Sequence, residues 1–466
     1  MIRLTLLSLF VISLLVVALR FWYVALCGLL FLTVFTQHPS MPTNMLGIQG
    51  LNPWNAVFLV VLVSWLLQRN QDPPRHPTSP KALALLTAFT LMTVISGFIA
   101  AADYESIQGP SAGKLDAPTL IVNTIINPLK YVLVGVMFFD GARSAQRLRL
   151  AIFSAVGSSL TYALLLFKSM GLRVFTIDFE DARRMTDKLV GLFANDLAEL
   201  FAFTIWAGIM TTFLCAKKWH RLSWLLLVLA VIPPFLALKS RAGFVAVCTV
   251  GVVLGFVRWR RILILLPVTA LVIALAVPTV TDRILMGVAT DNEENSWDEI
   301  SAGRVTNIWP ATLEQIAESP IIGHGQYAIL RNNCYEEILA NERYVPSHPH
   351  CSYLEILLDC GIVGLAIVLA CAFGLARVGL LLTRMSGDPL ATTIGAAALA
   401  ALVAELTAGI TGSSFFPSQS SVPYLCVWGT ALRACVDRCN QSTTRRANSV
   451  VRSPFDSTFF VCSLGK

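Results

Sequence analysis

SYLEILLDCGIVGLAIVLACAFGLA, residues 352–376, decides the fold. From Cys360 to Ala376 it carries no charged side chain. With its first turns included it is long enough, as a helix, to cross a hydrocarbon core of roughly 30 Å. A polar stretch ending Ser347-His348-Pro349-His350-Cys351 precedes it, and Arg377 and Arg384 follow. Comparable apolar runs recur outward in both directions, at approximately 4–35, 54–67, 82–100, 119–139, 150–170, 197–215, 222–238, 242–257, 262–278, 390–411 and 422–435.

Composition agrees. Only 14% of the residues are charged and 55% are hydrophobic, against about 25% charged in soluble globular chains. A water-soluble enzyme is excluded. The expected fold is all-α: a polytopic integral membrane protein with about twelve transmembrane helices, each near 20 residues, and one large outer loop at about 279–350. The first run is interrupted by Arg20 beside Phe21, Trp22 and Tyr23, an interfacial signature that leaves twelve or thirteen spans open. Residues 1–436 form the transmembrane domain. Residues 437–466 form a polar, basic tail expected to be cytoplasmic and disordered.

Sidedness follows from Lys and Arg in the short loops. Arg69, Arg75 and Lys81, then Arg143, Arg147 and Arg149, then Lys217, Lys218 and Arg221, then Arg258, Arg260 and Arg261, then Arg377 and Arg384 fall on one side. The alternate loops are acidic or mixed, and residues 279–350 include Glu293, Glu294, Asp298, Glu299, Glu336 and Glu337. The basic side is cytoplasmic. The net charge of +7 is thus an orientation signal, and no nucleic-acid partner is implied.

Most of the eleven cysteines lie in or beside apolar runs, where a thiol acts as a small hydrophobe, and no CxxC pair exists. Cys334 and Cys351 stand in the large outer loop. In an oxidising compartment the two could form a disulfide, which would stabilise by about 3 kcal/mol in the chain-entropy model; the alternative is a pair of buried thiols.

Several outer segments carry residues suited to chemistry. The large loop contains Ser301-Ala-Gly-Arg304-Val-Thr-Asn-Ile-Trp309, then Glu318-Ser-Pro320-Ile-Ile-Gly323-His324-Gly325. Apolar positions from Val305 to Ala317 recur at helical spacing, with Pro310 expected to kink the helix and Pro320 to end it. A cation at the start of a helix opposes its dipole, which favours recruitment of Arg304 for an anion over a merely solvated charge. His348 and His350 stand at the mouth of the span, where extended chain would put both on one side. A metal pair would need further ligands, with only Cys351 or Glu355 near, so no metal or other cofactor is expected. Ser240-Arg241-Ala242-Gly243 forms a tight turn together with Lys239. A snorkelling anchor is the bland reading there, but Lys and Arg are scarce on this side. Asn195 opens another span just after Arg183 and Arg184. Glu405 lies inside an apolar run, where a carboxylate is costly, either satisfied structurally or paired with an outer arginine.

Arg241, Arg304, His350 and Asn195 are remote in sequence, yet the loop charges put them at one membrane face. Guanidinium groups suit a diphosphate. An imidazole suits a general base near neutral pH.

The order SRAG, GRxxxxW…SPxxGxG and HxxYLxxLxxxGxxGL resembles the O-antigen ligase/polymerase superfamily, most strongly from about 187 to 370. The resemblance implies an all-helical bacterial inner-membrane protein with about a dozen spans and a large periplasmic loop. It implies a metal-free glycosyltransferase that moves a glycan from undecaprenyl diphosphate to a glycan, lipid A-core or protein hydroxyl. By motif position, Arg241 and Arg304 match the diphosphate-binding arginines and His350 the catalytic histidine. Lys239, Arg183, Arg184, Asn195 and His348 are secondary candidates, and His348 has no counterpart in the family motif. Two positions depart from the pattern: Cys351 stands where the family usually has Asn, and His324 separates Gly323 from Gly325. Ligase and polymerase share these motifs. From another class, a transporter of lipid-linked oligosaccharide is the rival, though transporters concentrate charge near the midplane, where charges in this chain are few, as at Lys130, Lys168 and Glu405.

Overall fold

In hydrocarbon every backbone N–H and C=O must find a partner within the chain, so apolar runs close into helices. The computed structural model describes residues 2–39, 41–45, 48–69, 80–109, 115–276, 281, 301, 303–342, 345–412 and 415–450. Helices α1 (Ile2–Thr33), α2 (Pro53–Gln68), α3 (Pro80–Ala102), α4 (Ala117–Gly141) and α5 (Ala145–Met170) come first. They are followed by α6 (Phe179–Val190), α7 (Ala194–Thr211), α8 (Lys218–Leu229), α9 (Ile232–Ala237), α10 (Arg241–Val257) and α11 (Arg261–Ala276). After the start of the large loop come α12 (Trp309–Glu318), α13 (Asn332–Asn341), α14 (Ser352–Thr383), α15 (Pro389–Ala408) and α16 (Val422–Val450). The strands among the described residues are one antiparallel two-residue pair, Asn44–Met45 with Ile48–Gln49.

Each expected apolar run lies on a helix. Among the described residues, eight candidate spans, the one at Lys218–Ala237 combining α8 and α9, are long and apolar enough to cross a membrane, and Pro53–Gln68, Arg241–Val257 and Arg261–Leu275 are apolar but shorter. The first run is one helix broken at Phe21 (φ −130°, ψ 59°), next to Arg20 where the sequence is interrupted.

Helix starts are written locally. Asn52 caps α2 through Asn55 N–H with Pro53 in the first turn, and Asp388 caps α15 through Ala391 N–H with Pro389 in the same role. Helix α15 is the hub. Its Ala-rich sequence is buried along nearly its whole length against α7, α10, α14 and α16. Small residues let backbones approach: a Cβ added at Gly395 would lie 2.5 Å from Thr383 N and 2.7 Å from Gly379 O on α14.

Helix α14 is broken at Gly361 (φ 64°, ψ −168°). The break would orphan two carbonyls before it and two N–H groups after it. Residues 320–325 supply all four partners. Pro320 O accepts from Ile362 N–H at 2.8 Å and Ile321 O from Val363 N–H at 3.3 Å, while His324 N–H donates to Leu358 O at 2.8 Å and Gly325 N–H to Asp359 O at 2.9 Å. The Ser-Pro-x-x-Gly-x-Gly segment is therefore a strap that heals the break. Buried Arg331 holds the strap from behind, donating through Nη2 to the carbonyls of His324, Gly325 and Gln326 and through Nη1 to Asp103.

Three expectations need correction. Pro310 does not kink a helix; it sits in the first turn of α12, directly after a π-turn at Arg304–Ile308, where its missing N–H costs nothing. The segment after residue 436 is not disordered up to Val450, because α16 continues that far; residues 451–466 lie outside the described residues. Cys334 and Cys351 are free, buried thiols and form no disulfide. Cys334 is packed among Ile308, Ala311 and Ile338 beneath the loop helices, whereas Cys351 occupies the cap of α14.

Candidate active site

Helix α10 and helix α14 begin, and α15 ends, around one group of cations and histidines. Ser240 caps α10: its Oγ accepts from Gly243 N–H at 3.2 Å and donates to Asn195 Oδ1 at 2.9 Å. The cap thereby ties the start of α10 to the start of α7 and sets Arg241 in the first helical turn. Lys239, just before the cap, has φ 45°, in the left-handed region that L-residues rarely adopt.

Arg304 follows Gly303, whose φ of 73° turns the chain into the π-turn. Its Nε donates to Ser301 O and its Nη1 to Thr411 O at 3.3 Å, in the turn that ends α15. Burial and the charge of Arg241 both hold the Arg304 guanidinium below its ordinary value. The two arginines therefore lie within electrostatic reach of each other.

His350 is fastened on three sides. Trp309 Nε1, at the start of α12, donates to Pro349 O at 3.1 Å. His348 Nδ1 accepts from His350 N–H at 3.2 Å. After it, Ser352 N–H donates to Gly409 O at 2.7 Å and Ser352 Oγ to Gly412 O at 2.8 Å. His350 itself has φ 53°. Of the three non-glycine residues with positive φ among the described residues, one is His350 and another, Lys239, directly precedes the cap of α10, and such strain often marks functional sites. Burial first, then His348, Arg304 and Arg183, push the His350 imidazole down to about 3. Burial alone pushes His348 down to about 4. Both rings are neutral at pH 7.

Arg241, Arg304, His350, His348 and Asn195 are thus drawn together, and Arg183 joins them through its effect on His350 while lying 4.0 Å from the centre of the Phe179 ring. Arg184, on the next face of α6, is exposed, and nothing places it in the group. The two histidine rings meet edge-on, 4.3 Å between centroids, with His348 Nδ1 already engaged. Among the described residues no three His, Cys, Asp or Glu side chains gather to hold a metal.

Trp309, the aromatic residue of the quoted motif, acts by holding Pro349 O. Thr411 serves the site through its carbonyl, which no residue pattern announces. Glu405 does not pair with an arginine in the hydrogen-bonded sense; its Oε2 and Glu199 Oε1 are buried without a hydrogen-bond partner, and the charges of Glu405 and Asp196 bear on Glu199. The signal for Glu199 was present as a carboxylate inside an apolar run. Lys130 is satisfied by Asn55 and Asn127 at 3.0 and 2.9 Å beside the Trp54 ring.

Residues 225–369, which contain Arg241, Arg304, His350 and the strap, match the family model described as O-antigen ligase. The match supports the resemblance of this stretch to the O-antigen ligase/polymerase superfamily. No curated protein matches the chain. The family's usual Asn falls at the cap of α14, where Cys351 makes no side-chain cap hydrogen bond. His324 is explained locally, since its Nε2 lies 2.8 Å from Gln315 O and ties the strap to α12.

Proposed function

We propose that this chain is a membrane glycosyltransferase of the O-antigen ligase type. It transfers a glycan from undecaprenyl diphosphate to an acceptor hydroxyl in surface polysaccharide or lipopolysaccharide biosynthesis. It lies in the bacterial inner membrane, with the site open to the periplasm and no metal in the reaction. The observation that carries this reading is the convergence of Arg304 and Arg183 on a neutral, strained His350, with Arg241 bearing in turn on Arg304.

In the step, the acceptor oxygen attacks the anomeric carbon and the carbon–oxygen bond to the diphosphate breaks. His350 takes the hydroxyl proton. Arg241 and Arg304 meet the charge that grows on the leaving lipid diphosphate, where prepositioned donors contribute most. The departing diphosphate makes the transfer downhill without a nucleotide.

Purified protein incubated with a lipid-diphosphate oligosaccharide and a hydroxyl acceptor tests the reading. Wild type should release free lipid diphosphate. His350→Ala should lose transfer yet bind donor, whereas Arg241→Ala and Arg304→Ala should lose both, by roughly 100- to 1,000-fold in rate. Lysine should rescue the arginines only in part, since an ammonium lacks the planar fork. Movement of intact donor across vesicles without diphosphate release would establish a transporter instead. A ladder of repeat units on the lipid would mark a polymerase.

A further inference from the structure

We propose that His348 is the positioning residue of this site, its Nδ1 acting as a side-chain turn acceptor that holds His350 in the left-handed conformation. The inference rests on the reading of His350 as the base and adds to it how the base is aimed.

A residue such as His350 has no glycine-like freedom, and the left-handed region is unfavourable for it. Something local must keep it there. Pro349 has no N–H to contribute and confines the residue before it to extended conformations. From that extended position the His348 side chain reaches forward two residues, to the N–H of His350 at 3.2 Å. Asn and Asp side chains bond the backbone two residues on in the same way, forming a turn of the Asx type. His348 imitates them with a ring nitrogen.

The bond also sets the chemistry of His348. Nδ1 accepts only in the neutral ring with the proton on Nε2. Burial keeps the ring in that form at neutral pH. The same ring packs edge-on against His350 at 4.3 Å, which means His348 controls both the backbone and one face of the base. The groups whose charges bear on His350 are His348, Arg304 and Arg183. Of these His348 alone also bonds its main chain. The metal-pair reading needs the nitrogen that this turn consumes.

Two substitutions separate acceptor from ring. His348→Asn keeps a turn acceptor and discards the ring; His348→Phe keeps a ring and discards the acceptor. In the full-length protein, with lipid-diphosphate oligosaccharide as donor, His348→Asn should stay within about threefold of wild type in kcat. His348→Phe should fall by about 100-fold, the cost of a small misplacement of a reacting group. Donor KM should stay within about twofold for both, because the arginines are untouched.

Activity in His348→Phe with loss in His348→Asn would show that ring packing matters and overturn the proposal. Equal loss in both, or wild-type activity in both, would overturn it as well. His350→Ala run beside them keeps the two readings apart. If His350→Ala still transfers glycan, the base assignment fails. If it is dead while His348→Phe is fully active, only the positioning role fails.

Discussion

Gly361→Ala should be among the most damaging single changes in the chain, although it adds one methyl group. The residue sits at φ 64°, ψ −168°, a region that is in practice glycine's alone, so strain of about 1–3 kcal/mol follows for alanine. The new Cβ would lie 2.2 Å from Ile321 O, 2.3 Å from Ile321 C and 2.5 Å from Ile322 N. These are backbone atoms and cannot swing aside as a side chain can. The strap must lift, releasing the four bonds that heal the break in α14, each contributing about 0.5–1.5 kcal/mol net. The sum, about 3–9 kcal/mol, is comparable with the about 5–15 kcal/mol that holds a whole domain folded. Gly374 on the same helix is the control: nothing lies within 4 Å of its added Cβ, so Gly374→Ala should be neutral or stabilise by up to about 1 kcal/mol. Thermal unfolding in detergent should show a large fall in Tm for Gly361→Ala and none for Gly374→Ala. Coincident unfolding of the two variants would refute the strap as a structural requirement.

Under the proposed reaction, His350 must be neutral to act, and in the free protein it stays neutral down to about pH 3. A bound diphosphate offsets the cations that depress it and raises its pKa, so the acid limb of kcat should lie at higher pH than that of kcat/KM; the opposite order in steady-state pH profiles would count against His350 as the base. Cys351→Asn should raise stability by roughly 0.5–2 kcal/mol by supplying the missing cap of α14, read as a higher Tm with transfer activity retained; an unchanged or lower Tm would show that the cap is already satisfied.

The positions of the helices were legible because hydrophobic run length depends on local composition alone. The break in α1 was marked by Arg20 and its aromatic neighbours, and it falls at Phe21. Arg241, Arg304 and His350 could be read as one group because loop charges assign side before any packing is known, and their mutual electrostatic effects agree with that grouping. The strap could not be read this way. Its partners, residues 320–325 and 358–363, bond through main chain, and main-chain pairing across a helix break leaves only glycines behind as a trace. Pro310 was misjudged for a related reason: a proline within a helical pattern reads as a kink unless the turn before it is known to end there. The Cys334–Cys351 bridge failed because compartment and loop length say nothing of packing, and Cys334 is sealed in the loop's own core.

The electrostatics of the site indicate what it lacks in isolation. Arg241 lowers Arg304, and Arg304 and Arg183 lower His350; every one of these influences is a repulsion between cations or potential cations. Folding alone would disperse such charges, since like charges brought together in a partly buried place oppose the compact state. Main-chain bonds help to hold the group in place. Arg304 donates to the carbonyls of Ser301 and Thr411, and the cap at Ser240 fixes the helix turn that bears Arg241. An anion entering here would relieve each repulsion at once, strengthening its own binding and restoring basicity to His350 in the same event. A diphosphate donor would therefore prepare its own base. That coupling gives a buried, depressed histidine a place in proton transfer, and it explains why the strain at His350 and the crowding of the arginines occur together.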